Sequence, residues 1–216
     1  MKISAVIFDL DGTLIDSEGA WALAFNDVLK ELGYTSIDNH PHISGVSLKK
    51  NWEMLLPKFS IKTNKTFEQL EVLTNNSYVN HLSSVSLMPG ATEFIESLKE
   101  SGAKIGLATS TNWLIADKIF EKLGLKETFD SVTTGEEAVN PKPDPDILLI
   151  EADKLGVNEE NCLVIEDSPS GVTAAHRAGM KVIAVEDGED DQPDLSGADL
   201  VVGGFAEITP KVIEEL

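Results

Sequence analysis

Cysteine is nearly absent: Cys162 is the single one among 216 residues, so no disulfide can form within the chain. That fits a reducing compartment, and a cytoplasmic location is expected. Long hydrophobic runs are missing too, and Met1-Lys2 leads straight into a strand pattern without the basic-then-apolar order of a secretory leader. Without such a leader the two sequons, Asn64-Lys65-Thr66 and Asn75-Asn76-Ser77, carry no meaning. Basic side chains are scarce: 17 Lys and Arg stand against 37 Asp and Glu, a formal charge of −20. A field of that sign repels nucleic acid and anionic membrane surfaces, so neither is expected as a partner. It also repels an anionic small molecule, unless a metal and local cations reverse the sign at one site. The composition is otherwise that of an ordinary globular protein, 42% hydrophobic and 25% charged, with no repeat or low-complexity tract. A monomer is expected.

What is present begins at the N-terminus. The apolar run Ile3 to Phe8 reads as a fully buried parallel strand, and Asp9-Leu10-Asp11-Gly12-Thr13-Leu14 follows it directly. Side chains two apart at a strand end project to the same side, and that end is where open α/β sheets bind ligands. Two like charges buried side by side are unfavourable without a cation or a reaction that needs them. The bland reading is an Asp-Gly turn, with one acid capping a bend.

Downstream the pattern is a long helical stretch, then strand and helix in alternation. Asp16-Ser17 reads as a helix N-cap before Ala20–Leu32, and Gly33 ends that helix. From Tyr34 to Ser86 only helical or loop patterns appear, with Trp52–Leu56 and Phe67–Leu82 amphipathic. After Met88-Pro89-Gly90, helices are expected at 91–101, 113–123, 146–155 and 171–178. Strands are expected at 104–108, 131–134, 162–165, 181–185 and 199–202. Such alternation argues a mostly parallel, doubly wound sheet with helices on both faces. Two short linkers, near Leu14–Asp16 and Ser84–Pro89, would join the helical block to it and make a hinge.

Three further polar signals sit at strand ends or loops on the side where Asp9 emerges. Thr109-Ser110 suits a phosphate oxygen, or equally caps the next helix. Lys142, in Pro141-Lys142-Pro143-Asp144-Pro145, is held in a stiff loop. Glu166-Asp167-Ser168-Pro169-Ser170-Gly171 offers acids for helix caps or for a metal shared with Asp9. The acidic run 186–191 reads as a solvated loop, since its spacing does not match a calcium loop.

In the order DLDGTL, ATS, PKPDP and IEDSPSG, these segments resemble the four motifs of the haloacid dehalogenase superfamily, over essentially the whole chain. The branch most resembled holds phosphoglycolate-phosphatase-like and β-phosphoglucomutase-like enzymes. The resemblance implies a Rossmann-like α/β core (1–15 and 87–216) with a small all-helical cap (16–86) inserted after the first strand. It implies a phosphatase for a small phosphorylated metabolite, with Asp9 as nucleophile and Asp11 as general acid and base. Thr109, Ser110, Thr13 and Lys142 would serve the phosphate, with Lys142 also paired to Asp9. Mg²⁺ would be held by Asp9, the Asp11 carbonyl and Asp167, with Glu166 reaching it through a water. Asp11 argues against the namesake dehalogenases, whose pattern lacks it. A phospho-accepting signalling receiver is smaller and has no cap.

The remaining rival is a sugar phosphomutase. In that branch Gly-Val-Ser is typically followed by Arg, and a His sits after the first linker. Here Gly45-Val46-Ser47 precedes Leu48, and the linker position is Trp21. Hydrolysis is therefore expected. His40 and His42 read as loop residues of the cap, His81 and His176 as helix residues without a role. Trp21, Trp52 and Trp113 read as packing.

Overall fold

The computed structural model describes residues 3–35, 46–186 and 193–216. The expectations for His40, His42 and Gly45, and for residues 187–191 of the acidic run, fall outside those residues. Six strands form one parallel sheet: β1 (Ala5–Phe8), β4 (Lys104–Thr109), β5 (Ser131–Thr134), β6 (Cys162–Glu166), β7 (Lys181–Val185) and β8 (Leu200–Val202). Their order is β5-β4-β1-β6-β7-β8, which places β1 between β4 and β6.

The period-two rule sorts each strand between two cores. Val6, Phe8, Leu107 and Ile165 face α4 (Ala91–Ser101) and α5 (Trp113–Leu123), while Ala5, Ile7, Ala108 and Val164 face α6 (Asp146–Leu155) and α7 (Pro169–Arg177). Both faces are covered, so the strands can be apolar throughout. Helices α4, α5 and α6 stop at left-handed Gly102, Gly124 and Gly156, the glycines that marked their ends in the sequence. Cys162 is strand core, and burial pushes its thiol up to about 11, which makes it inert.

Among the described residues three α-helices stand between β1 and α4: α1 (Glu18–Glu31), α2 (Leu48–Lys58) and α3 (Phe67–His81). Thr66 and Gln69 form a reciprocal capping box at the start of α3. Phe25, Leu29, Trp52, Leu55 and Leu70 make a separate apolar cluster, and the Trp52 indole N–H donates to Thr74 Oγ1 at 3.0 Å. His81, expected to have no role, holds Asp27 at 2.7 Å and so ties α3 to α1.

The two linkers hold short strands that were not anticipated. Ile15–Asp16 (β2) pairs antiparallel with Ser86–Leu87 (β3), making a two-stranded ribbon at the root of the insert. Two-residue strands are too short to show a period. Helix α7 begins at Pro169, two residues before the expected Gly171, because Ser168 caps it by accepting the Gly171 N–H. A C-terminal helix α8 (Pro210–Glu215), capped by Thr209, was not anticipated. Among the described residues no helix is long and apolar enough to cross a membrane.

Candidate active site

Asp9 follows the last residue of the central strand, and its N–H donates to the Ile165 carbonyl at 3.0 Å, which fixes it between β4 and β6. The chain then reverses through Gly12, whose φ of +82° is left-handed, and the Leu14 N–H returns to the Leu10 carbonyl at 2.9 Å. Asp9 and Asp11 are both buried, and both line one cleft beneath the helical insert. The Asp-Gly turn is therefore real, and it serves to aim the two carboxylates.

Lys142 supplies the buried cation. Its Nζ donates to Asp9 Oδ1 at 2.5 Å, to Glu166 Oε1 at 2.7 Å and to the Ala108 carbonyl at 3.3 Å. Burial alone would lower the ammonium's pKa, but Asp9 and Glu166 outweigh it and the net direction is up. The lysine stays charged. Asp9 is pushed up to about 7, first by burial and further by the Glu166 and Asp11 carboxylates, with Lys142 pulling the other way. A second cation beside Asp9 would relieve that pressure.

Glu166 is placed differently from the metal contact expected of it. It is fully buried, with Oε1 on Lys142 and Oε2 accepting from Asp167 N, Ser168 N and Ser168 Oγ at 2.8–2.9 Å. In this geometry it anchors the lysine and the turn. Gly171 makes room for it, since a Cβ there would lie 1.7 Å from Glu166 Oε1. Thr13, expected at the substrate phosphate, is also buried and does not line the cleft; its hydroxyl donates to Asp167 Oδ1 at 2.7 Å.

Thr109 and Ser110 do line the cleft. The cap of α5 is Asn112, which accepts from Ile115 N at 3.1 Å, so the competing cap role for Thr109-Ser110 falls away. Three donors that the sequence reading missed converge on Asp11. Ser17 Oγ and the Trp21 indole N–H reach Oδ1 at 2.7 and 2.8 Å, and Thr111 Oγ1 reaches Oδ2 at 2.6 Å. Ser17 holds the N-cap position of α1 without a side-chain cap bond. Trp21 stacks on Tyr78 of α3 with ring centroids 3.9 Å apart. The only signal for this network was the clustering of Ser17 and Trp21 soon after the first motif.

The cleft encloses about 400 Å³ between the strand ends and α2 and α3. Among the described residues no three His, Cys, Asp or Glu side chains form a metal cage. Asp9 and Asp167 follow adjacent strands and offer oxygen donors only, which fits a hard ion such as Mg²⁺ that completes its shell with waters and substrate phosphate.

A carboxylate pair at the end of the central strand, a lysine bonded to one of them and a helical insert overhead define a Rossmann-like enzyme fold with its site at the switch of strand order. The chain belongs to the haloacid dehalogenase-like hydrolases, whose family model matches residues 6–185. The β-phosphoglucomutase of Bacillus subtilis is 32% identical, covering 99% of this chain and 95% of that protein. The phosphorylated carbohydrates phosphatase of Thermotoga maritima is 35% identical over 84% of each chain. The solved β-phosphoglucomutase of Clostridium difficile matches with a TM-score of 0.85 at 28% identity, covering 99% of this chain and 96% of that one.

Proposed function

We propose that this enzyme is a Mg²⁺-dependent phosphomonoesterase for a small phosphorylated carbohydrate or similar metabolite. The observation that carries the reading is Asp9 in the cleft, one oxygen tied to Lys142 and Asp11 beside it. Asp9 attacks phosphorus in line; the new Asp–O–P bond forms as the bond to the leaving oxygen breaks, and Asp11 gives that oxygen its proton. Asp11 then takes a proton from the water that attacks the aspartyl-phosphate, which releases phosphate and restores Asp9. Thr109 and Ser110 face the phosphate oxygens.

Asp9, Asp167 and the Asp11 carbonyl would hold Mg²⁺. It would neutralise charge, because Asp9, Asp167 and a phosphate dianion bring four negative charges near a lysine already shared with Glu166. Two unit charges 4 Å apart repel by roughly 4 kcal/mol at a surface-like dielectric. The helical insert, residues 16–86, acts as a cap that opens and closes about the β2–β3 ribbon.

Homology to a β-phosphoglucomutase raises mutase activity as the second reading. A mutase must grip a second phosphate, and arginine's bidentate fork is the usual means. The chain has one arginine, Arg177 on α7, and its Nη1 donates to the Pro143 carbonyl at 2.9 Å. Leu48 opens α2 where the mutase branch carries its arginine.

The test is phosphate release from sugar phosphates with Mg²⁺ and with chelator, in wild type, Asp9→Asn and Asp11→Asn. Asp9→Asn should fold and lose nearly all turnover; Asp11→Asn should lose about 10²–10⁴-fold. Activity of Asp9→Asn within tenfold of wild type ends the covalent mechanism. With β-glucose 1-phosphate and a bisphosphate primer, phosphate should appear with little glucose 6-phosphate. Mutase turnover well above phosphate release would replace the phosphatase reading.

A further inference from the structure

Resting on the phosphomonoesterase reading, we infer that the α3 wall of the cleft selects monophosphates whose far end is rich in hydrogen-bond donors and carries no negative charge. Polyol and amino-sugar monophosphates are of this class; bisphosphates and phospho-carboxylates are not.

Glu68, Glu71 and Asn75 lie at i, i+3 and i+7 along α3, one face of the helix, and all three line the cleft. The carboxylate of Glu71 is fixed by the Lys49 N–H, which donates to its Oε1 at 3.1 Å. Asn75 Oδ1 is shut off from solvent without a hydrogen-bond partner. A buried polar atom without a partner is unfavourable, and a ligand hydroxyl would satisfy it once the amide turns into the cleft that Asn75 lines. Opposite them Glu136 lines the core side, its Oε2 accepting the Trp113 N–H at 2.8 Å.

Cations are missing from this surface. No Lys, Arg or His is among the described lining residues. Lys142 is taken up by Asp9 and Glu166, and the charge of Lys49 acts on Glu68 and Glu71, with a small downward pull on both carboxyls. Residues 36–45 contain two histidines but no Lys or Arg, and the single arginine is engaged elsewhere. A second phosphate or a carboxylate entering here would meet carboxylates, whereas hydroxyl or ammonium donors would meet acceptors. Selection then comes from repulsion of the wrong ligand as much as from attraction of the right one.

The experiment compares kcat/KM, in Mg²⁺, for p-nitrophenyl phosphate, glucitol 6-phosphate, glucosamine 6-phosphate, fructose 1,6-bisphosphate and phosphoglycolate. Glucitol 6-phosphate and glucosamine 6-phosphate should each exceed the last two at least tenfold, and added salt should shrink the gap. Either order of those two supports the inference; glucosamine 6-phosphate ahead marks recognition of the ammonium. Glu71→Lys should raise fructose 1,6-bisphosphate relative to glucitol 6-phosphate by tenfold or more, and Glu71→Gln by less. Equal or better kcat/KM for phosphoglycolate or the bisphosphate, with p-nitrophenyl phosphate still hydrolysed, overturns the inference alone. No phosphate release from any of the five overturns the phosphomonoesterase reading and this inference with it.

Discussion

The Trp21 indole N–H donates to Oδ1 of Asp11 at 2.8 Å, joining the first helix of the insert to the loop that carries the second acid of the site. Ser17 shares that oxygen and Thr111 takes the other, so insert and core grip one carboxylate together. The position of the insert and the pose of the Asp11 carboxylate, to which we assign proton transfer, are thereby coupled.

Trp21→Phe removes the donor while keeping a ring to pack on Tyr78. It should lower kcat about tenfold with KM within twofold, because the carboxylate loses one of the donors that fix its pose. Trp21→Ala should also cost about 3–5 kcal/mol of stability, since the side chain is buried. Urea midpoints and steady-state kinetics on both variants separate the roles. An unchanged kcat in Trp21→Phe would leave Trp21 as packing alone.

Gly171→Ala should disable the site from a position that does not line the cleft. Its Cβ would fall 1.7 Å from Glu166 Oε1, so the carboxylate must move and Lys142 loses its anchor. Overpacking of this kind costs about 1–3 kcal/mol, and phosphate release should fall at least a hundredfold. A variant with wild-type turnover and melting temperature would show that the loop yields freely.

Lys142→Met leaves two buried carboxylates without their cation. Destabilisation of about 3–5 kcal/mol is expected near pH 8. It should shrink toward acid pH, where Asp9 takes up a proton. Adding Glu166→Gln should restore part of the stability and none of the activity. Denaturation at pH 5 and pH 8 checks both statements.

Glu151 governs a separate pH effect far from catalysis. It is fully buried on α6, its Oε2 accepting from Thr133 Oγ1 at 2.6 Å and Ser131 Oγ at 3.2 Å, and it packs where Gly106 leaves space. Burial pushes its carboxyl from 4.5 up to about 7 against the pull of those hydroxyls. The folded state thus keeps a proton that the unfolded chain has lost between those values. Stability should fall as pH rises from about 4.5 to 7, by at most about 3 kcal/mol, and level off above. Glu151→Gln should remove its share of the slope, leaving the share of Asp9, and be the more stable protein at pH 8. A slope unchanged by the substitution would assign it to other groups.

The parts of the site legible in the sequence share one property: each is written within a few consecutive residues. The apolar run before Asp9, the alternation that puts Asp9 and Asp11 on one side and the turn at Gly12 are local facts. So are the glycines that stop α4, α5 and α6, and the prolines around Lys142. Local hydrophobic period also predicted the sheet and the helical block after its first strand, because burial of one face per element is a local constraint.

What was not legible depends on which elements become neighbours. Thr111 meets Asp11 across 100 positions because β4 pairs with β1, and nothing in Thr109-Ser110-Thr111 marks the third residue over the first two. Thr13 and Glu166 looked like ligands because motif residues are polar. Only the packing of β1 beside β6 shows Thr13 on Asp167, and only the close approach of Gly171 shows how Glu166 is held on Lys142. In sequence the segment of α3 reads only as amphipathic, with nothing to mark its acceptor face. Its contribution to the cleft follows from where the β2–β3 ribbon sets the insert over the sheet. A chain's own pattern fixes which side chains must be buried, but the charge that a cleft presents is a sum over walls brought together from distant segments.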